Sequence, residues 1–265
     1  MGVNMAGNCI CDDEACREAS GQEIIRRYYA ALNDLLKGTC SEEPAQKIEL
    51  LMNQAGVTIQ DRKVVAAALN RAQETQSPAA ALELPDGRII TGKTSNLLGA
   101  SAALLLNVLK ELAGLGHELH IISPEAIEPI QKLKVDYLKS RNPRLHTDEV
   151  LIALSTSAAA NEDARLALEQ LPKLHGCQAH TSVMLSDVDI KTFQKLGVQL
   201  TCESVYESGH GLLLMQFYTG TPFFFDNSTM YPFFSSASVL FACRITVPTF
   251  ISRQFQKPQR YFVLK

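Results

Sequence analysis

The sequence predicts an α/β protein in which an N-terminal helical region precedes a helix-covered mixed sheet, with an atypical C-terminal tail. Three observations carry this prediction. Residues 12–77 show only helical periodicity and cap signals. Residues 78–207 alternate strand-like and helix-like runs, which implies a sheet covered on both faces. Residues 208–265 fit neither repeat and hold ten of the 11 phenylalanines.

In the first region, the run from Asp12 to Leu36 places Ile24, Tyr28, Leu32 and Leu35 on one stripe, and Gly38 follows as a stop. Ser41 is the expected cap of a second helix, with Glu42 and Glu43 at its positive end and Ile48, Leu51, Met52 and Ala55 as the apolar face. Gly56 ends it. A third helix spans about Asp61 to Glu74 with Val65, Leu69 and Ala72 inward. Ser77-Pro78 then breaks the pattern and is taken as a domain boundary.

The second region opens with strands at Ala81–Leu84 and Arg88–Thr91 around Pro85-Asp86-Gly87, a hairpin turn signal. An apolar helix is expected from Ser95 to Leu112, because Leu97, Leu98, Ala102, Leu105, Leu106 and Leu109 cover most of its circumference. Leu119–Ile122 reads as a third strand. Ser123-Pro124 starts a helix that Pro129 splits or kinks, with an amphipathic continuation over Ile130–Leu138. Thr147 is the expected cap of a helix to Ala159, and Asn161 of one to Leu171. His180–Leu185 is a fourth strand, Ser186 caps a short helix ending at Gly197, and Val198–Cys202 is a fifth. The opening hairpin is antiparallel, so the sheet is mixed.

The composition, 46% hydrophobic and 20% charged, excludes wholesale disorder. A net charge of −3 argues against a broad electrostatic grip on nucleic acid. Seven cysteines, an odd number, and the lack of a basic start leading into an apolar run favour a reducing cytoplasm over a disulfide framework. The tail from 208 onward carries +4, leaving −7 for the rest. Its longest apolar run, Phe233–Cys243, falls well short of the about 20 residues a membrane-spanning helix needs. The shift reads as sequence from another reading frame or a retained intron, ahead of a membrane anchor or a β-rich appendage.

Several motifs match a pattern and fail its chemistry. Gly87-Arg-Ile-Ile-Thr-Gly92-Lys93-Thr94 satisfies the phosphate-loop pattern, but its intervening residues read as a strand and its first glycine belongs to the hairpin turn. A weaker version survives: Lys93, Thr94 and free amides at the following helix start are suited to one anion, although a capped helix with an exposed lysine is the simpler reading. Gly99-Ala-Ser101-Ala-Ala103 resembles a nucleophile elbow, but Ser101 is expected inside a helix rather than on a sharp turn. Cys9, Cys11 and Cys16 are one ligand short of a closed zinc site, and Cys177 and His180 have no second pair, so no metal is assigned. The best polar constellation is Ser140-Arg141-Asn142-Pro143-Arg144-Leu145-His146-Thr147-Asp148. There Pro143 stiffens a loop carrying two guanidiniums and an imidazole at a helix start. The competing reading is that both arginines pair with local acids.

Taken together, the segments MGVNMAGNCICDDEACREAS, QEIIRRYYAALNDLLKG, AALELPDGRIITGKTSNLLGASAALLLNVLK, HIISPEAIEPIQKLKVDYLKSRNPRLHTDEVLIALS and FQKLGVQLTCESVYE strongly resemble one bacterial family, domain of unknown function 1846, also called uncharacterised protein family 0371. The likeness runs over residues 1–207. It implies an all-helical subdomain (1–77) before a three-layer α/β/α subdomain with a mixed sheet (78–207). It also implies that the chain corresponds to the C-terminal part of a longer protein whose earlier portion includes a G-S-G-K segment. Residues 208–265 depart from it. No activity, cofactor or catalytic residue comes with the resemblance.

The resulting expectation is a cytoplasmic protein that binds a nucleotide or phosphorylated metabolite when whole, with Arg141, Arg144, His146, Lys93 and Thr94 as anion contacts acting by charge and hydrogen-bond donation. A phosphorylated small molecule is the expected partner; nucleic acid and membrane are not expected. The alternatives are a non-catalytic packing module that forms homo-oligomers and a non-functional gene fragment.

Overall fold

The structure, a computed structural model, describes residues 13–207. The Phe-rich tail and the cysteines at 9 and 11 lie outside the described residues.

Four short strands form one mixed sheet: β1 (Ala79–Glu83), β2 (Ile89–Lys93), β3 (Gln178–Thr181) and β4 (Gln199–Cys202), in the order β2-β1-β3-β4. β1 is antiparallel to both neighbours, with Ala79 opposite Lys93 and Ala80 opposite Thr181. β3 and β4 are parallel, with His180 beside Thr201. Strands β2, β3 and β4 therefore run the same way, and their carboxyl ends (Lys93, Thr181 and Cys202) share one edge.

Eight α-helices occur among the described residues. Helices α1 (Asp13–Lys37), α2 (Glu43–Ala55) and α3 (Lys63–Thr75) come first; α1 packs on β4, and α3 lies across β1, β2 and β3. The opposite face carries α4 (Ala100–Leu112), against β1 and β2, and α8 (Asp187–Lys195), against β4. Helices α6 (Thr147–Ser157) and α7 (Glu162–Leu168) pack on α4 from outside, and α5 (Pro124–Lys132) borders α6. The two-residue period of a strand explains the layering. On β1, Ala80 and Leu82 enter the main core with Leu105, Leu109, Leu154 and Phe193, while Ala81 faces Val64 and Ala68 of α3. The result is the three-layer α/β/α sandwich, with α1 and α3 as one outer layer.

Local differences from the sequence reading have physical causes. The helix expected from Ser95 begins only at Ala100, because the Ser95 hydroxyl accepts from the Leu97 and Leu98 amides and holds residues 95–98 in a turn. Leu119–Ile122 is not a strand; Ile121 and Ile122 reach the core from turns, so their apolar character reflects burial alone. Ser41 does not cap α2, whose N-cap is Glu42 with Pro44 in the first turn, and Leu51 of the expected apolar face is exposed. On α1 the buried stripe is Ile25 and Tyr29, one residue along from the expected one. Pro129 sits inside α5 without splitting it, and the irregularity comes later, as a π-turn over Leu133–Tyr137 closed by the Leu138 amide on the Leu133 carbonyl.

Gly92 shows why the sandwich closes so tightly. A Cβ there would stand 2.2 Å from the Leu104 amide nitrogen and 2.5 Å from its Cα. Only glycine lets β2 approach the α4 backbone this closely.

Candidate functional site

The carboxyl edge of the sheet is where an open α/β fold places its loops and helix starts, and where ligands of such folds bind. Three helices begin there. After β2, Thr94 donates its amide to the Pro78 carbonyl and the 95–98 turn closes through the Ser95 amide on Leu98. Thr94 and Gly99 thus stand at the two ends of one turn. Gly99 is the N-cap of α4 in extended conformation and supplies no side-chain cap. An isolated parallel bridge then brings in the loop before α6: the Leu145 amide donates to Leu97 O (2.9 Å) and the Gly99 amide to Leu145 O (3.3 Å). Residues far apart in sequence, 94–99 and 144–146, are laid side by side by this pairing.

The starts of α6 and α8 are joined through one carboxylate. Asp189 accepts the Thr147 amide and hydroxyl on Oδ1, both at 2.9 Å. On Oδ2 it accepts the Ser186 hydroxyl at 2.7 Å and His146 Nδ1 at 2.9 Å. Four donors saturate a carboxylate, and an ionised acceptor fixes the His146 proton on Nδ1. Burial opposes ionisation of Asp189, but the His146 bond, the Thr147 amide and the Ser186 hydroxyl outweigh it and bring its pKa down to about 2. The Asp189 hydrogen bond raises the pKa of His146 above its ordinary value, against a smaller effect of burial. His146, rather than the expected Thr147, is the N-cap of α6, and its amide donates to Glu149 Oε2 at 2.7 Å. The buried Lys134 ammonium, reaching in from the π-turn, bonds that same Glu149 oxygen (2.8 Å) and the Arg144 carbonyl (2.7 Å), so it fixes the loop from behind.

The anion candidates are thereby sorted. Lys93 and Arg141 are exposed and have no partner among the described residues. Thr94 is half-buried beside the turn. Arg144 pairs with Glu207 at 2.5 Å, a distant acid rather than a local one, whereas the competing reading had both arginines paired with local acids. His146 keeps Nε2 without a partner among the described residues on a ring that is 26% exposed. The structure brings Arg144 and His146 to the turn that follows Lys93 and Thr94, and leaves Arg141 farther out on the loop.

Comparison with known proteins places this geometry in a family. Residues 60–211 match the C-terminal domain of unknown function DUF1846, and residues 1–56 match its N-terminal domain. The chain belongs to the DUF1846 family. A UPF0371 protein of Corynebacterium urealyticum is 57% identical over 206 residues, covering 78% of this chain and 41% of that protein. One from Corynebacterium efficiens is 56% identical over 207 residues, covering 78% and 42%. One from Streptococcus thermophilus is 51% identical over 207 residues, with the same 78% and 42%. The chain therefore spans about two fifths of the length of these relatives.

In this DUF1846 chain a second polar constellation lies on the other face of the sheet, where sequence reasoning did not place one. Arg62, the N-cap of α3, is 1% exposed. Its five N–H groups meet five neutral oxygens: Thr201 Oγ1 (3.1 Å), Gln22 Oε1 (3.1 Å), Gln178 Oε1, Ala179 O (2.9 Å) and Gln199 O (2.5 Å). Among the described residues no carboxylate touches it, and burial pulls its pKa down to about 10. Thr201 Oγ1 lies 2.8 Å from Nδ1 of the fully buried His180, whose Nε2 is 3.2 Å from Glu203 Oε1. Tyr29 of α1 donates its hydroxyl to the same oxygen at 3.1 Å and stacks obliquely on the His180 ring. Burial lowers the His180 pKa more than Glu203 raises it. Burial, helped by the Glu203 charge, pushes the Tyr29 hydroxyl well above its ordinary range. The period-2 run Gln199, Thr201, Glu203 is the signal that could have pointed here, but such alternation ordinarily marks a solvent-facing side.

The glycines of the apparent phosphate loop serve DUF1846 packing. Gly87 has φ 83° in the hairpin turn and Gly92 meets α4. Ser101 stands in the first turn of α4 rather than on a strand-to-helix turn, and among the described residues no imidazole is hydrogen-bonded to it. Among the described residues no three His, Cys, Asp or Glu side chains gather into a metal-ligand set, and no helix is long and apolar enough to cross a membrane.

Proposed function

We propose that this chain forms the anion-recognising part of a longer cytoplasmic protein, and that the carboxyl edge of its sheet binds a nucleotide or phosphorylated metabolite without transforming it. The observation that carries this reading is the Leu98–Leu145 bridge, which sets Arg144 and His146 against the turn between Lys93-Thr94 and the uncapped start of α4. Cationic and N–H donors from two distant segments meet at the edge where such folds take ligands. Lys93, Thr94, Arg141, Arg144 and His146 are the proposed contacts. Among the described residues no nucleophile is hydrogen-bonded to His146 Nε2, and the Ser186 hydroxyl lies on the Nδ1 side, which supports a binding role for His146 over general-base catalysis. The share of the relatives' length that is covered supports a larger working unit.

A thermal-shift panel of nucleotides and phosphorylated metabolites on the folded chain tests this. Stabilisation by at least one phosphorylated compound, reduced in Lys93→Ala and Arg141→Ala, is expected. A folded chain that none of them stabilises refutes it.

One observation favours a packing role instead. Leu133, Val135, Tyr137 and Leu138 are all exposed along the π-turn, with Leu133, Tyr137 and Leu138 more than half so, an unusual density for a free surface. Concentration-dependent self-association in light scattering, abolished by Tyr137→Ser with Leu138→Ser, would support the homo-oligomeric reading.

A further inference from the structure

The starts of α4, α6, α7 and α8 are closed differently by the chain, and the difference identifies the kind of ligand. At α6 the Thr147 amide is bound by Asp189 and the His146 amide by Glu149. At α8 the Ser186 hydroxyl accepts the Asp189 amide. At α7 the Asn161 side chain accepts the amides of Asp163 and Ala164. Each of these starts is closed by the chain's own oxygen atoms. Helix α4 is the exception, and it is 13 residues long. Its N-cap is glycine, no side chain caps it, and the first intrahelical bond is made by the Ala103 amide on Gly99 O. The amides of Ala100, Ser101 and Ala102 have no acceptor among the described residues, although all three residues are buried. A buried helix start with unpaired donors ordinarily has a partner.

Ser101 is the second, independent observation. It is 2% exposed, and its hydroxyl has no partner among the described residues. The hydroxyl sits over the helix start: a Cβ built on Gly99 would lie 3.9 Å from Ser101 Oγ and 3.8 Å from Leu145 O. An unpartnered hydroxyl on a serine only 2% exposed, beside three unpartnered amides, is a donor set for one tetrahedral oxyanion. Hydroxyl-bearing Thr94 and the Lys93 ammonium stand at the other end of the 95–98 turn.

We propose that the α4 start, with Ser101 Oγ and the Ala100, Ser101 and Ala102 amides as donors, binds a single phosphate group, so that the ligand class is a phosphomonoester rather than a nucleoside di- or triphosphate. This rests on the anion-binding reading above and deepens it. A polyphosphate needs a run of free donors, as a phosphate loop provides. Here Gly87 and Gly92 are committed to a turn and to packing, and the neighbouring helix starts are already filled. The α4 start therefore has donors for one group, and the charge of Lys93 and His146 complements a dianion.

The test uses the full chain and three probes: inorganic phosphate, glycerol 3-phosphate and ATP, titrated by calorimetry at low salt, with amide shifts of Ala100–Ala102 followed by NMR. Circular dichroism establishes that Ser101→Ala and Lys93→Ala remain folded. The proposal expects phosphate and glycerol 3-phosphate to bind, ATP to bind no more tightly than glycerol 3-phosphate, and the three amides to shift. Ser101→Ala should weaken phosphate about tenfold or more, as loss of a hydrogen bond to a charged group does. Lys93→Ala should weaken it less and mainly at low salt. Binding that Ser101→Ala leaves intact, or ATP binding far more tightly than glycerol 3-phosphate, overturns the single-phosphate assignment while the general anion-binding reading stands. If none of the three probes binds the folded wild-type chain, both fall.

Discussion

Two histidine–carboxylate pairs fasten helices in this fold, one tying the start of α6 to α8 at the carboxyl edge and one beneath α1, and they respond to their surroundings in opposite ways. His146 is half-buried at the carboxyl edge, and its contact with Asp189 raises its pKa. His180 is fully buried beneath α1, and burial lowers its pKa although Glu203 is beside it. The partner residue is a carboxylate in both cases. The amount of solvent left around the ring decides whether attraction or desolvation wins. The accessible pair belongs to the proposed binding edge, and the inaccessible one to the framework.

The largest test of this contrast is Arg62→Ala. It strips a donor from five oxygens in the buried network, and a loss of roughly 3 kcal/mol or more in urea unfolding is expected from leaving buried acceptors unsatisfied. A loss below about 1 kcal/mol would show that water replaces the guanidinium freely and that the network is not closed.

Next comes Asp189→Asn, which leaves the Thr147, Ser186 and His146 donors facing a weaker acceptor. The carboxyl's drop from 3.8 to about 2 corresponds to about 2 kcal/mol of stability at neutral pH. A group whose pKa is depressed on folding contributes fully above 3.8, and its contribution is lost as the pH falls toward 2. The stability gap between wild type and variant should therefore close over that window. The His146 imidazole resonance should also titrate closer to 6.5 in the variant; an unchanged titration would remove Asp189 as the cause.

A smaller effect separates the histidines directly. In an NMR titration of the wild type, His146 should have its midpoint above 6.5 and His180 below it. The raised group contributes stability that is complete below 6.5 and is lost as the pH rises through its folded midpoint. The lowered group contributes above 6.5 and loses that contribution as the pH falls toward its folded midpoint. Equal midpoints would end the distinction between the two pairs. The smallest effect belongs to Arg144→Ala: its partly exposed pair with Glu207 should cost at most about 1 kcal/mol in the same unfolding assay.

The residues explain what could be read from the sequence and what could not. Gly38, Gly56, Asn161, Ser186 and the Pro85-Asp86-Gly87 turn act through their nearest neighbours, so their signals survive in a linear text. The start of α4 did not, because Leu97 and Leu98 look helical while the Ser95 hydroxyl, two and three residues earlier, holds their amides in a turn. Leu119–Ile122 shows the same limit: apolar residues report burial, and a strand also needs a neighbour to pair with. At the site, the 140–148 loop stood out through its arginines, histidine and proline. Asp189 was hidden because its partners lie about forty residues away. Thr201 and Glu203 alternate like residues on a wet face, and only the docking of α1 and Arg62 makes that face dry.

The hydrogen bond from Tyr29 to Glu203 links residues 174 positions apart, and Arg62 reaches Thr201 across 139. On a ribosome adding about 5 to 20 residues per second, α1 waits roughly 10 to 35 s before its docking partner has been synthesised. Until then Ile25 and Tyr29 have only the cluster around Met52 and Val65 of α2 and α3 to pack against, and of its five acceptors Arg62 has only that of Gln22. The layer that is made first is the layer that finishes last, and that interval is when the nascent chain is most open to chaperones and proteases.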